Sequence, residues 1–161
     1  MAALTRDRNT EYSLGDLLAI PVAGSATIYA GSLVCTNSAG YAVPAADTAG
    51  YVFEGVATEQ VDNSSGSDGD LSVIVRRRGR YRFDSASLLD QASMSGEACV
   101  SDDQTVADES DVTNDVVCGR IDRVLSGSEC WISIDYAVSK GSTWDPATTT
   151  VAPTTTTTAA L

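Results

Sequence analysis

One thirteen-residue stretch, residues 71–83, constrains the fold more than any other part of this chain. It reads LSVIVRRRGRYRF, with mostly apolar odd-numbered positions and mostly basic even-numbered positions from residue 76 onward. The even-numbered arginines are Arg76, Arg78, Arg80 and Arg82. Successive side chains of a strand point to opposite faces, and helical spacing would not separate these two sets. The pattern predicts one long β-strand, or a strand kinked at Gly79, with one face in a core and four arginines on the other.

The charge distribution makes this stretch unusual for the chain. The sequence has 10 basic and 22 acidic residues, for a net charge of −12, yet residues 76–82 hold five of the basic ones. A basic ridge therefore lies on a strongly acidic body. Two interpretations remain open: the arginines pair with the protein's own carboxylates, or they meet an acidic partner such as a neighbouring subunit.

The rest of the chain predicts an all-β fold, either a small sandwich or a small barrel. Gly, Ser, Thr, Val and Ala are abundant, turn-forming clusters recur at short intervals, and no long segment shows helical periodicity. We expect a single β-rich domain at residues 14–138. It is flanked by a polar N-terminal arm at residues 1–13 and a Thr-rich C-terminal arm at residues 139–161, both extended.

Several strands and two hairpins can be placed within this domain. Pro21 predicts that the first apolar segment, residues 14–22, is an edge strand or ends there. Small residues at Gly55 and Ala57 predict close backbone approach within a strand. The other predicted strands are residues 27–35 with a bend at Gly31, 41–43, 51–61, 96–101, 116–125 and 129–138. Turns at residues 37–40 and 126–128 predict the two hairpins, and a short helical turn is expected within residues 85–94.

The cysteines predict buried thiols rather than a metal centre. Cys35, Cys99, Cys118 and Cys130 form no C-x-x-C pair, and the chain has no histidine. A structural zinc site would therefore need all four sulfurs from distant segments. We expect free cysteines that pack as small apolar residues on strands. A disulfide between Cys118 and Cys130 is the alternative, which a reducing compartment would disfavour.

Two acidic segments could in principle bind a cation. Residues 62–70 read DNSSGSDGD, which lacks the EF-hand spacing and predicts an exposed, turn-rich loop. Residues 102–115 contain clustered carboxylates, which are more typical of a solvated loop than of a cation site. We expect no metal and no cofactor. A calcium- or glycan-binding β module using residues 102–115 remains an alternative.

The sequence offers little for catalysis. Without histidine there is no His-based acid–base group and no Ser-His-Asp arrangement, and no glycine-rich phosphate-binding motif is present. Asp102 and Asp103 could act as paired carboxylates, but only their residue type supports that role. We therefore expect a protein that is not an enzyme.

Charge and hydropathy also bear on partners and location. A net charge of −12 repels nucleic-acid backbones. No apolar run is long enough to span a membrane, and the N-terminal segment carries charges where a signal peptide would be apolar. We expect a protein made in a cytoplasm that binds neither nucleic acid nor membrane.

Eight short pieces of the sequence, taken in order, resemble the small capsid cement or decoration proteins of tailed bacteriophages. The pieces are DLLAIPVA (16–23), IYAGSLV (28–34), GYAVP (40–44), FEGVA (53–57), VDNSSG (61–66), VIVRRRG (73–79), VSDDQTVA (100–107) and CGRIDRV (118–124). Each is short, and their order and spacing across residues 12–136 carry the resemblance. The Thr-rich C-terminal arm departs from the family pattern.

The resemblance implies a compact β-rich domain on the outside of a phage head. Its partners would be the major capsid protein, whose subunits it would hold together, and neighbouring copies of itself in a trimer or dimer. In that setting Arg76, Arg78, Arg80 and Arg82 are the predicted partner-binding residues. Another virion role, as a tail tube, head fibre or minor capsid component, is the first alternative.

Overall fold

The computed structural model describes residues 14–135 and residue 137, and these form the predicted all-β fold. The strands are β1 (Leu17–Pro21), β2 (Thr27–Ile28), β3 (Leu33–Thr36), β4 (Ala42–Pro44), β5 (Val52–Ala57), β6 (Val61–Asp62), β7 (Ser72–Arg76), β8 (Arg80–Ser85), β9 (Glu97–Val100), β10 (Thr105–Asp108), β11 (Val117–Ser126) and β12 (Glu129–Ser133). Short 3-10 turns occupy Gln91–Ser93, within the predicted helical turn, and Glu109–Asp111. The predicted arms at residues 1–13 and 139–161 lie outside the described residues.

Five antiparallel strands form the first sheet, in the order β1-β7-β5-β3-β4. As the proline predicted, β1 is an edge strand, and the β3–β4 hairpin is also confirmed. A parallel bridge between Val22 and Ala42 brings the two edges of this sheet together just beyond β1. An apolar cluster that includes Ile20, Val34 and Val73 fills the space inside the curved sheet.

The second half of the chain forms a closed barrel, in the order β10-β8-β12-β11-β9. The β11–β12 hairpin is the second predicted hairpin, and the alternate residues Cys130, Ile132 and Ile134 are all buried. A parallel pairing of β10 with β8, limited to residues 84–85 of β8, closes the barrel. The fold therefore combines a curved sheet with a small barrel.

The sheet and the barrel share one hydrophobic core. Leu33 and Phe53 from the sheet belong to the same buried cluster as Phe83, Ile121 and Ile132 from the barrel. Burial of a large aliphatic or aromatic side chain contributes about 2 kcal/mol. The two layers therefore stabilise each other across this common core.

The prediction of one strand through residues 71–83 is wrong in its continuity. This segment forms β7 in the sheet and β8 in the barrel, and the chain changes layer between Arg77 and Gly79. Gly79 has φ +118°, a conformation that residues with a side chain rarely adopt. The predicted alternation nevertheless holds on both sides of the break. Val73, Val75 and Phe83 are buried.

Two other predicted strands are also divided. The segment at residues 27–35 turns at Gly31, where φ is +84°, so the predicted bend there is confirmed. In the segment at residues 51–61, strand pairing with the main sheet ends at Ala57. The separated parts, β2 and β6, pair with each other instead of with the main sheet.

The acidic segment 102–115 is only partly the predicted solvated loop. Its residues 105–108 form β10, whose Val106 and Ala107 are 1% and 2% exposed. Both faces of β10 are therefore buried where it pairs with β8 and β9, and Val106 belongs to the core cluster, which explains why a strand forms inside an acidic segment. The carboxylates of Asp102, Glu109, Asp111 and Asp115 stay exposed.

All four cysteines are free and buried, as predicted, and Cys118 and Cys130 form no disulfide. Burial raises the pKa of Cys35 to about 12, of Cys99 to about 12 and of Cys130 to about 11. Burial also raises the pKa of Cys118, and the three other cysteines add to that shift. The interior thus holds these groups as neutral thiols.

We expect the free energy of unfolding to fall as the pH rises above about 9. Each thiol has a higher pKa in the folded chain than in the unfolded chain. Its contribution to stability is therefore fully present below pH 9 and is lost as the pH rises toward 11 to 12. The stability falls by up to about 1.4 kcal/mol per pH unit for each thiol. Urea unfolding at pH 7 to 11 measures it.

A pair of core variants tests the cause of this pH dependence. Cys35→Ala should reduce the alkaline slope, because one buried thiol is gone. Val34→Ala, at the adjacent and equally buried position, should lower stability at pH 7 but keep the slope. Equal slopes for the two variants would show that Cys35 does not cause the effect.

Candidate partner-binding surface

The predicted partner-binding arginines all lie on the exposed side of the segment, but they do not belong to one strand. Arg76 ends β7, Arg78 lies in the connection, and Arg80 and Arg82 belong to β8. All four are exposed. The ridge therefore crosses from the sheet to the barrel, and its shape depends on how the two layers pack.

Three of the four predicted arginines form ion pairs within the chain. Their partners are Asp16 for Arg78 (3.3 Å), Asp122 for Arg80 (2.7 Å) and Glu129 for Arg82 (2.5 Å). The arginine side chains remain 55% to 72% exposed. Solvent-exposed pairs of this kind contribute about 0 to 1 kcal/mol each. Internal pairing is thus part of the ridge's structure, but each pair is weak enough to be exchanged.

Arg77, which sequence alternation places on the inner face, has a different environment. Its guanidinium lies 3.4 Å from the Glu54 carboxylate, and both side chains are less exposed than those of the ridge pairs. Its backbone N–H donates to the Asp16 carbonyl oxygen at 2.9 Å. Arg77 therefore anchors the connection to β5 and to the start of β1, and it is not part of the exposed ridge.

Arg76 has no carboxylate partner among the described residues. Its guanidinium is exposed, and neither an ion pair nor a side-chain hydrogen bond holds it within the part of the chain that the structure describes. It lies near Tyr81: burial raises the pKa of the Tyr81 hydroxyl, and the positive charge of Arg76 partly opposes that shift. Arg76 is thus a cation available to an external anion.

The barrel adds an aromatic side chain to this surface. Trp131 on β12 lies directly opposite Arg82 on β8 and Arg123 on β11. Directly opposed residues of paired strands share a face, so the indole lies between two arginines. Trp131 is 37% exposed. Tryptophan and arginine are the residues most enriched at protein–protein hot spots.

A cleft of about 300 Å³ lies where the sheet meets the barrel. Its lining residues are Gly31, Val56, Ala57, Thr58, Arg76, Tyr81, Arg82 and Phe83. Val56, Ala57 and Phe83 are buried apolar residues, whereas the two arginines are exposed. The cleft thus combines a buried apolar lining with positive charge at its rim.

The carboxylates of the chain are placed for structural contacts. Asp47 accepts hydrogen bonds from the backbone N–H groups of Thr113 and Asn114, and Asp108 accepts one from Ser110. Within residues 14–135 and 137, no group of three or more His, Cys, Asp or Glu side chains could hold a metal ion. The same residues include no helix long and apolar enough to cross a membrane.

Comparisons with known proteins found little similarity. No family model matches the sequence, and no curated protein matches it. Among solved structures, the chain is similar to the N base of the head fiber protein gp8.5 of bacteriophage phi29. That similarity has 16% sequence identity and a TM-score of 0.42, and it covers 75% of this chain and 96% of the other. At this TM-score it carries no conclusion about fold or function.

Proposed function

We propose that the protein is a structural component of a tailed-phage virion. It binds the outside of the head and stabilises contacts between major capsid subunits. The resemblance of its ordered sequence pieces to capsid cement and decoration proteins supports the virion role. The single structural observation that carries the proposed contact is the exposed arginine ridge on a chain of net charge −12. An acidic patch on a capsid subunit would complement this ridge.

The internal ion pairs are compatible with this role. Exposed pairs contribute little to folding, so docking can exchange them for contacts with a partner. At a partly desolvated interface, arginine–carboxylate pairs become charge-assisted hydrogen bonds that also fix orientation. Arg76 has no ion pair to exchange among the described residues, and Trp131 offers apolar contact beside the charges.

Repetition over a lattice would give modest contacts a large effect. In the proposed role each copy contacts the major capsid protein and neighbouring copies, in a dimer or a trimer. Several linked contacts of moderate strength then give strong overall binding to the head through avidity. The role is binding without catalysis or cofactor, and the lack of histidine in the sequence supports that part of the proposal. The negative net charge supports a partner other than nucleic acid.

Replacing the ridge with serines tests the proposed contact. We expect Arg76→Ser, Arg78→Ser, Arg80→Ser and Arg82→Ser together to weaken binding to heads by tenfold or more, because about 1.4 kcal/mol of lost contact gives that factor. The free energy of unfolding should change by only about 1 to 2 kcal/mol, since the lost pairs are exposed. Cosedimentation with heads that lack the protein measures binding, and urea unfolding measures stability.

A charge-preserving variant is the matched control for the serine variant. Replacement of the same four arginines with lysine keeps the net charge but removes the bidentate geometry. Its binding should fall between those of the wild type and the serine variant. Unchanged occupancy of the serine variant at physiological salt would contradict the ridge as a contact.

The distribution of the protein on particles tests the kind of virion role. A decoration protein should cover the head lattice, so electron microscopy of labelled particles should show label over the whole head. Label confined to one vertex, to fibres or to the tail would favour the alternative virion roles. No label on any particle would contradict a virion role altogether.

A further inference from the structure

One edge of β8 is open at the cleft between the sheet and the barrel. Along its other edge, β8 pairs with β12 from Arg80 to Asp84. On the cleft side, β10 pairs only with Asp84 and Ser85. Within the described residues, the edge at 80–83 therefore has no strand partner. Open strand edges present backbone donors and acceptors to other chains.

Two hydrogen bonds show which backbone groups point toward this open edge. The Ile134 N–H donates to the Gly79 carbonyl oxygen at 3.1 Å, and the Ser85 N–H donates to the Ser128 carbonyl oxygen at 2.8 Å. In an antiparallel pair, residues alternate between those bonded to the partner and those directed away from it. Arg82, at an even position between the two bonds, thus directs its N–H and C=O away from β12.

The side chains around this edge suit a particular partner. Tyr81 and Phe83 line the cleft from the barrel, and Val56 and Ala57 line it from the sheet and form its apolar wall. Arg76 stands at the rim without a carboxylate partner among the described residues, and Arg82 lines the cleft beside it. The cleft thus offers backbone pairing, a small apolar pocket and an available positive charge within one site.

We propose that this cleft binds an extended acidic segment of a partner protein, which adds a strand to the open edge of β8 and places a carboxylate against Arg76. Strand addition gives affinity through backbone hydrogen bonds and specificity through pockets for alternate side chains. The cleft volume of about 300 Å³ lies at the lower end of the range for ligand sites and fits a short stretch of chain. This inference rests on the proposed function only for where the partner is found, namely on the phage head.

The alternation of a strand specifies the partner segment more closely. Beside β8, every second side chain of the added strand would face the apolar wall, and the intervening ones would reach the arginines at the rim. An alternating apolar–acidic sequence therefore fits best. A purely apolar segment would leave Arg76 unpaired, and a basic one would be repelled by both arginines.

Short synthetic peptides test the site on the isolated full-length protein. The probe is acetyl-Val-Asp-Val-Asp-amide, with acetyl-Val-Asn-Val-Asn-amide as the uncharged control. Titrations followed by amide chemical shifts should show changes around residues 56–58, 76 and 81–83 for the acidic peptide. The uncharged peptide should bind roughly tenfold more weakly. An acidic peptide methylated on its backbone nitrogens should not bind, because it cannot pair with the strand.

Two protein variants locate the binding. Arg76→Gln should weaken binding of the acidic peptide roughly tenfold, whereas Arg120→Gln should leave that binding unchanged, because Arg120 is exposed but lies outside the cleft. Thr58→Trp, at an exposed position on the wall, should block the cleft. Equal binding of the charged, uncharged and methylated peptides, or equal effects of the two arginine variants, would overturn the site.

Head binding separates this inference from the proposed function. If Thr58→Trp loses the acidic peptide and also binds heads more weakly, a capsid segment occupies the cleft. If Thr58→Trp no longer binds the peptide but binds heads as the wild type does, the head partner does not use the cleft. The proposed virion role then stands. If wild-type protein binds the peptide but never binds heads, the cleft stands and the virion role fails.

Discussion

A Gly55→Ala variant is expected to lose roughly 3 kcal/mol of unfolding free energy. Gly55 lies in β5 with φ +147°, and a Cβ built there would overlap the carbonyl oxygen of Arg76 on β7. Backbone strain at such a φ costs about 1 to 3 kcal/mol, and overpacking in a core costs a similar amount. The contact is with backbone, so rotation of a side chain cannot relieve it. Urea unfolding of the wild type and the variant measures the loss.

Gly50→Ala is the matched control for this prediction. Gly50 also has a positive φ, +81°, but a Cβ there would meet no atom within 4 Å. Its loss should be about 1 kcal/mol, from strain alone. Similar losses in the two variants would show that the strand approach at Gly55 is not tight. A large difference would confirm that β5 and β7 meet too closely for a side chain, which also sets the position of Arg76.

The local pattern of the arginine segment was predictable, whereas its division between two layers was not. Alternation placed Val73, Val75 and Phe83 inside and the arginines outside, and the structure confirms this. Alternation, however, reports only which face a side chain occupies. The alternation has the same period in β7 and in β8, so it does not indicate that the chain leaves the sheet and enters the barrel. Only Gly79 marked the break, and a kink within one strand would also use glycine.

The residues that surround the arginines on the candidate surface are set by contacts between distant parts of the chain. The exposed arginines followed from sequence, but their partners Asp16, Asp122 and Glu129 come from distant parts of the chain. Arg82 and Glu129, for example, are 47 residues apart. The place of Trp131 between two arginines likewise depends on the register of three strands. The cleft arises only from the packing of sheet on barrel.

The loop between β6 and β7 has a buried side chain that composition alone did not predict. Residues 62–70 are rich in turn-forming residues, which predicted an exposed loop, and most of them are exposed. Asn63 is the exception, with 2% exposure. The carboxylates of Asp68 and Asp70 accept backbone N–H groups of Gly24 and Ser67, respectively. Polar residues here build an ordered structure around a buried amide, which composition alone does not distinguish from a solvated turn.

Asn63→Ala is therefore expected to lose roughly 4 kcal/mol of unfolding free energy. The Asn63 side-chain amide donates to the carbonyl oxygens of Val22 (3.3 Å), Ala23 (3.0 Å) and Ser67 (2.9 Å). Each of the two amide N–H groups contributes about 1 kcal/mol net. The Ala23 carbonyl oxygen, left without a donor, adds about 1 to 3 kcal/mol, whereas those of Val22 and Ser67 keep the backbone N–H groups of Gly69 and Asp70. No other residue type of similar size supplies this donor geometry together with a neutral charge. Thermal and urea unfolding measure the loss.

Asn37→Ala is the control, because Asn37 also organises a turn but does so at the surface. Its side-chain oxygen accepts the backbone N–H groups of Ala39 and Tyr41 in the β3–β4 hairpin, and its loss should be about 1 kcal/mol. Hydrogen exchange adds a local readout. In Asn63→Ala, the amides of Ser25 and Gly66, which donate to the Asn63 carbonyl oxygen, should exchange faster than those of the barrel. Unchanged exchange at these amides, or equal losses in the two asparagine variants, would mean that the loop is held by its aspartates and not by the buried amide.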